Sequence, residues 1–404
     1  MKQIAVSMMP ASYGDCFLVN CNNSSHTNIL IDTGFVATYV NYLKPKLLKM
    51  KDAGELLDLM IITHIDADHI SGALKLLEEN GASIEAQIIK IKEIWHNSYR
   101  HLQQQDLGNK EIENSIDKNI IKGITKVGYP TETIIDKDFK RDIGARQGSS
   151  LAALINHGGY AWNSNFDYKS INVENKRLID VGEEVKIRLL SPDEFKLNDL
   201  KEYWKKELKK MGFKSSLDEV KIFDDAFEFL MAHEKTLIPR DFQRNISSSK
   251  KEIEDLIEEE FIEDNSVTNG SSISFVLEVK NKKILFLADS HPSIITRELK
   301  KIYGNNLTWF DAIKISHHGS KGNTSPELLE IIDSNNFFIS TNGMKFNHPD
   351  IVTLSRVISR KTECTRNIIF NYENPVLNYL NQNALEEKYN YKVKIIREGE
   401  EYLI

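Results

Sequence analysis

Residues 56–63, LLDLMIIT, form an apolar run that ends directly on Thr63-His64-Ile65-Asp66-Ala67-Asp68-His69. After it, Ile70, Ala73, Leu74 and Leu77 recur at helical spacing, so the segment reads as a buried strand, a sharp coil and an amphipathic helix starting near His69. That order predicts an α/β protein, with polar groups just beyond a strand's C-terminal end, where open α/β sheets hold their ligands. His64, Asp66, Asp68 and His69 place four ligand-type side chains within six residues. Burying two carboxylates and two imidazoles with no compensating cation costs several kcal/mol. The cluster therefore predicts a metal centre. His64 and Asp66 can face one ion; Asp68 and His69, diverging at the helix start, can face a second. Two divalent ions about 3.5–4 Å apart would clamp the attacking and leaving oxygens of a displacement.

Other strands end on similar groups. Ile88–Trp95 runs into His96, Ile284–Ala288 into Asp289, and Phe310–Ser316 into His317-His318-Gly319-Ser320. Asp289 suits a bridging role, one oxygen for each ion. Asp32 ends the strand Asn28–Ile31 in Asp-Thr-Gly and reads as a hydrogen-bonding support for the ligand loop. An oxygen ligand at Asp66 makes its site harder, and so more tolerant of manganese, than an all-imidazole one. His291, two residues past Asp289, is a further candidate contact.

Elsewhere, Ile4–Met9, Cys16–Val19, Glu184–Leu190, Ser272–Val279, Phe337–Ser340 and Tyr391–Ile396 have strand character, and Val36–Lys49 is helical in pattern. From 193 to 264 the chain is charged and helical, with WKKELKKM and KKEIEDLIEEEF its clearest pieces. The expected organisation is a discontinuous catalytic domain, 1–192 and 265–404, with a helical insertion at 193–264. The 404 residues are 41% hydrophobic and 27% charged, enough for a sizeable core. A net charge of −7 speaks against a broad nucleic-acid footprint, though not against a local one. There is no apolar run of membrane-spanning length and no signal-peptide pattern, so no membrane role and a cytoplasmic location are expected. Cys16, Cys21 and Cys364 make no CxxC pair or disulfide framework, and Cys16 lies in an apolar run as a buried thiol.

Asp32-Thr33-Gly34, the His64–His69 segment, His96, Asp289 and His317-His318 together resemble the five ordered motifs of the metallo-β-lactamase superfamily. The variant HxDxDH with a later HHGS and His348-Pro349 resembles the nuclease-like domain of the ComEC DNA-uptake channel and its stand-alone soluble relatives. Tyr13–Cys16, Leu190–Pro192 and Ser272–Phe275 are similar to that branch as well. The resemblance implies an αββα sandwich with a dinuclear site at its rim, holding two divalent ions, zinc or manganese. His64, Asp66 and His96 would bind the first ion, Asp68 and His69 the second, and Asp289 would bridge. One of His317 and His318 would complete the second site; Gly319 favours His318, leaving His317 to assist the leaving group. His348 would line the active site. Relatives encoded beside phage-defence ATPases imply a defence role.

The leading expectation is a phosphodiesterase or nuclease that uses a metal-activated water. Asp68 would orient the nucleophile, His317 or His348 would assist the leaving oxygen, and Lys314, Lys321 and Lys345 would neutralise phosphate. A lactone, lactam or small-ester hydrolase would use the same ions. A partner-binding subunit would dock through the helical insertion.

Overall fold

The computed structural model describes residues 4–21, 26–103, 112–130, 149–215, 223–234, 252–345 and 347–404. In chain order its strands are β1 (Ile4–Met8), β2 (Phe17–Cys21), β3 (Thr27–Ile31), β4 (Leu59–Ile61), β5 (Ile94–Trp95), β6 (Leu178–Gly182), β7 (Val185–Ser191) and β8 (Ser274–Val279). There follow β9 (Lys282–Phe286), β10 (Thr308–Phe310), β11 (Ala312–Lys314), β12 (Ile332–Ser334), β13 (Asn336–Ile339), β14 (Arg366–Phe370), β15 (Tyr391–Ile395) and β16 (Glu401–Leu403). One sheet has the order β16-β1-β2-β3-β4-β5 and the other β15-β14-β13-β11-β9-β8-β7-β6; β10 and β12 form a small separate pair.

Successive strand residues point to opposite faces, and here both faces are apolar. Val6, Val19, Ile31 and Ile61 of the first sheet meet Ile187, Leu277, Ile284 and Phe338 of the second in one core. Their neighbours Leu18, Leu30 and Met60 turn outward into a core shared with Ile70, Ala73 and Leu77 of the helix Ala67–Asn80. On the far side, Leu285, Ile313, Phe337 and Ile368 pack with Ile295 and Leu354 from the helices Pro292–Tyr303 and Ile351–Ile358. Each such side chain stabilises the fold by about 1.5–3 kcal/mol on burial. The layers are helix, sheet, sheet, helix: the αββα sandwich.

Strand ends differ from expectation where side chains intervene. The expected strand over 56–63 narrows to β4, with Leu57 making only an isolated bridge to Ile91. The expected strand Phe310–Ser316 divides at Asp311, whose carboxylate accepts from Lys283 N–H at 2.8 Å and Lys282 Nζ at 2.7 Å. That crossing sends β10 to pair with β12 while β11 enters the main sheet.

Within 193–264, helices span Glu194–Lys210, Asp224–Met231 and Ile253–Ile257. The stretches 216–222 and 235–251 lie outside the described residues, as do 104–111 and 131–148 of the polar segment before it. Trp204, Leu208, Phe227 and Met231 join the core above the first sheet, and Ile253, with Ile257 packed against it, the core beyond the second. The segment thus spends its apolar faces inside the sandwich's own helix layers. Among the described residues, no helix is long and apolar enough to cross a membrane.

Strands β3, β4 and β5 run parallel, as do β9 and β11. Their C-terminal ends bring Asp32, His64, His96, Asp289 and the 316–319 turn to one rim.

Candidate metal centre

Four imidazoles converge on one carboxylate oxygen. Asp289 Oδ2 lies 3.5 Å from His69 Nε2, 3.7 Å from both His317 Nε2 and His318 Nε2, and 3.8 Å from His64 Nε2. Asp66 Oδ2 is 3.5 Å from His64 Nε2, and Asp68 Oδ2 is 3.5 Å from His318 Nε2. Donor atoms of His64, His69 and Asp289 lie within 4.8 Å of one another, as do those of Asp68, His69 and His318.

The far side of each ring fixes its tautomer. His318 Nδ1 is 2.9 Å from the Ser340 carbonyl, which can only accept, so Nδ1 carries the proton and Nε2 presents a lone pair. Asp32 accepts from Thr63 N–H (2.8 Å), from the Thr63 hydroxyl (2.7 Å) and from His69 Nδ1–H (2.8 Å). With its proton given to Asp32, Thr63 Oγ1 accepts from His64 Nδ1–H at 3.0 Å. Asn323 donates Nδ2 to Asp264 (2.9 Å), leaving Oδ1 to accept from His317 Nδ1–H at 2.9 Å. Four Nε2 lone pairs therefore face the same space. Such outer hydrogen bonds are how proteins orient imidazole ligands.

The donor set fits divalent ions. The Nε2 atoms of His64, His69 and His318 and both oxygens of Asp289 are buried without a hydrogen-bond partner. So many convergent orphaned polar atoms would each cost about 1–3 kcal/mol if nothing bound there. Without metal, protons substitute. Burial opposes charging His318, but Asp289 and Asp15 outweigh it and lift its pKa to about 9. Burial likewise opposes charge on His69, yet Asp289, Asp32 and Asp68 hold it well above the usual imidazole value. Asp289 is held well below the carboxylate range by His318, His317 and His69 despite its burial.

The backbone is shaped for this geometry. His317 and His318 have φ of 45° and 54°, and Gly319 follows at 90°. Left-handed conformation costs a non-glycine residue about 1–2 kcal/mol, and here it turns two adjacent rings toward one carboxylate. Gly14 is required by proximity, since a Cβ there would sit 2.0 Å from the Asp68 carbonyl oxygen.

Several expected residues stand elsewhere. His96 reaches the rim but turns its Nε2 to Glu228 Oε1 at 3.0 Å, and its buried Nδ1 has no hydrogen-bond partner. Its Nε2 is engaged by a buried carboxylate of the helix Asp224–Met231, which also accepts from Tyr129 at 2.7 Å, while its Nδ1 is orphaned as the Nε2 atoms of His64, His69 and His318 are. Lys314 does not stand where a substrate contact is expected. It is 1% exposed, ion-paired with Asp15, bonded to the Ala288 carbonyl at 3.0 Å, and 3.7 Å from Asp289 Oδ1. A lysine walled in this way cannot meet a phosphate. Lys321 is exposed, 3.2 Å from Glu259, and Lys345 lies 2.8 Å from the Tyr13 hydroxyl. His348 stands with its ring 5.2 Å from that of His317 and Nδ1 3.3 Å from Asp350 Oδ2, on the more open side. His291 Nδ1 contacts Lys196 Nζ at 2.8 Å, and burial together with that ammonium pushes its pKa down.

The sequence reading missed Asp15 as a site residue. It is buried, with Oδ1 3.4 Å from His318 Nδ1, and Lys314 above all holds it near a pKa of about 2 against the effect of burial. Its sequence signals are Gly14-Asp15 breaking an apolar run and the Tyr13–Cys16 resemblance, neither of which names a role for the carboxylate. Asp264, Asn323 and Glu228 also went unread, since each is a lone polar residue locally.

No curated protein matches the chain. Solved structures similar to it include the metallo-beta-lactamase fold protein YhfI from Bacillus subtilis, 9% identical, with 99% of each chain covered and a TM-score of 0.35. The diiron beta-hydroxylase CmlA from Streptomyces venezuelae is 9% identical, with 99% of this chain and 54% of that one covered and a TM-score of 0.37. A long form RNase Z from yeast is 10% identical, with 99% and 47% covered and a TM-score of 0.33. The chain spans about half the length of these last two. Residues 9–149, which carry Asp15, Asp32 and the whole His64–His69 cluster, match the family model described as Metallo-beta-lactamase superfamily.

Proposed function

We propose that the chain is a metal-dependent phosphodiesterase, acting on nucleic acid, with two divalent ions at the Asp289 centre. The charge count of the site carries this reading. Asp15, Asp32, Asp66, Asp68 and Asp289 are all buried, and Lys314 is the buried cation among them, so five negative charges less one leave −4. Neutral histidines add nothing, and two divalent ions bring +4. Burying an unbalanced charge of that size is prohibitive, so two ions suit the site better than one.

His64 and Asp66 would hold one ion and Asp68, His69 and His318 the other, with Asp289 between them. Manganese or zinc would suit the mixed nitrogen and oxygen donors. Such ions supply Lewis-acid polarisation of a phosphoryl oxygen and an activated water. Asp68 orients the attacking group. His317, fixed by Asn323, and His348, braced by Asp350, stand on the open side, placed to pass a proton to the leaving oxygen. Lys321 and Lys345 take over the phosphate-neutralising role expected of Lys314. A part in defence against foreign nucleic acid is compatible with such an activity.

The test is hydrolysis of a bis-aryl phosphate dye and of single- and double-stranded nucleic acid, with manganese or zinc and with chelator. Wild type should cleave and His64→Ala should not. Brisk lactone opening with nucleic acid left intact across metals and salt would replace this reading by a carbonyl hydrolase.

A further inference from the structure

Beside the metal rim lies a groove of about 600 Å³ whose walls include Arg100, Tyr168, Lys169, Asn172, Phe195 and Lys201. We propose that it binds single-stranded nucleic acid, with Tyr168 and Phe195 stacking on bases and Lys169 and Lys201 meeting the backbone phosphates. This rests on the phosphodiesterase reading and specifies how a long substrate would be held.

Two large aromatic rings flank the groove in open solvent, Tyr168 at 72% and Phe195 at 78% exposure. Rings left bare at that level forgo about 1.5–3 kcal/mol of burial each. Tyr168 is moreover held at φ 62°, next to Asp167 at 54°, a conformation that an ordinary tyrosine adopts at a cost. Phe195 lies in the first turn of the helix Glu194–Lys210, whose Trp204 is fully buried and whose Tyr203 packs against the same core. The chain thus had an inward face available and placed Phe195 off it.

The charge of the walls selects the occupant. Lys169 and Lys201 line the groove with one carboxylate, Glu194, while Arg100 is paired with Asp224 at 2.7 Å, in a protein of net charge −7. The remaining lining is rich in amides, and the buried Gln103 Nε2 has no hydrogen-bond partner. Stacking rings, cations along a track and amide groups for base edges form the combination that binds single strands with little sequence preference. A duplex, with its bases already stacked, offers no partner to the two rings.

The groove adjoins the metal rim. Arg100 follows His96 by four residues, and its guanidinium lies 4.8 Å over Trp162, which stacks on His96. On the other wall, Lys196, next to Phe195, touches His291, two residues beyond Asp289. A strand lying between Tyr168 and Phe195 therefore runs alongside the elements that end at the metals.

The test is fluorescence anisotropy with a fluorescein-labelled oligothymidylate of twelve nucleotides, in a His64→Ala background so that the strand stays intact. Stacking is worth about 1–3 kcal/mol per base, so Tyr168→Ala with Phe195→Ala should weaken binding at least about 30-fold. Lys169→Ala with Lys201→Ala should reduce the salt slope by about 1.4, the release expected of two single-strand phosphate contacts. Both pairs are on the surface, and hydrolysis of the small phosphate dye by otherwise wild-type protein carrying them should be unchanged. Unaltered oligothymidylate binding by the aromatic pair overturns the groove. If the dye is not cleaved while binding still depends on the rings, the groove stands and the phosphodiesterase reading falls. Equal affinity for a duplex of the same length, lost on the same substitutions, overturns the single-strand assignment.

Discussion

Lys314 Nζ stands 3.7 Å from Asp289 Oδ1, the oxygen that the four imidazoles leave to it when they gather on Oδ2. The sequence-based expectation gave Asp289 one oxygen for each ion. In the structure the imidazoles gather on Oδ2, and Oδ1 is tied back to a buried ammonium that Asp15 holds in place. Burial lowers the lysine's pKa, but Asp15 and Asp289 outweigh it and raise it.

Removing that ammonium should be costly. Lys314→Met leaves Asp15 and Asp289 without their cation, and breaking a buried ion pair costs about 3–5 kcal/mol. Urea denaturation of metal-free protein should show a loss of that order, and the double change with Asp15→Asn should recover part of it. A loss below about 1 kcal/mol would mean the pair is not a brace.

Metal binding should release protons. Histidines raised by neighbouring carboxylates, His318 to about 9 and His69 higher than usual, are charged in the metal-free protein at neutral pH. Each must lose its proton to bind an ion. Affinity should therefore rise with pH through neutrality and level off above the folded pKa of His318. Titration calorimetry in buffers of different ionisation enthalpy should detect at least one proton released per chain at pH 7. Affinity independent of pH between 6 and 9 would contradict the charged-histidine network.

Asp66 should set metal preference. A carboxylate 3.5 Å from His64 Nε2 makes that side of the site oxygen-rich. Manganese should support activity at least as well as zinc, and Asp66→His should shift the preference toward zinc. Wild type active with zinc alone would contradict the ligand-hardness argument.

What could be read from the sequence divides by distance along the chain. His64, Asp66, Asp68 and His69 announce themselves because one loop carries all four, and Asp289 and His317–His318 because each ends an apolar strand. The layering came only with the family resemblance, since no local pattern shows which sheet packs on which. Lys314 misled for the same local reason: beside a ligand motif it looks like a phosphate contact, and only the packing of Asp15 beneath the sheet end shows that it points inward. His96 likewise ends a strand as a ligand would, and the partner of its Nε2 arrives from residue 228, in a segment that read as a charged helical insertion.

That partner supports the last prediction. Glu228 is fully buried and accepts from His96 Nε2–H, the Tyr129 hydroxyl and Ala152 N–H at 3.0, 2.7 and 3.3 Å. Glu228→Ala strands three of the sandwich's own donors and opens a cavity, so a loss of about 3 kcal/mol or more is expected. Glu228→Gln keeps the volume and one acceptor and should lose less. The difference between wild type and the glutamine variant should depend on pH. Burial raises the Glu228 pKa, but the bonds from His96 and Tyr129 outweigh it and leave the carboxyl below its ordinary value. A group whose folded pKa is depressed contributes fully above its unfolded pKa, about 4.3, and loses that contribution as pH falls through the folded value. Denaturant midpoints should thus separate the two proteins at pH 7 and converge as pH drops below about 4. If the gap between them is the same at pH 7 and at pH 3.5, the carboxylate's charge is not what holds His96, and the network is one of shape alone.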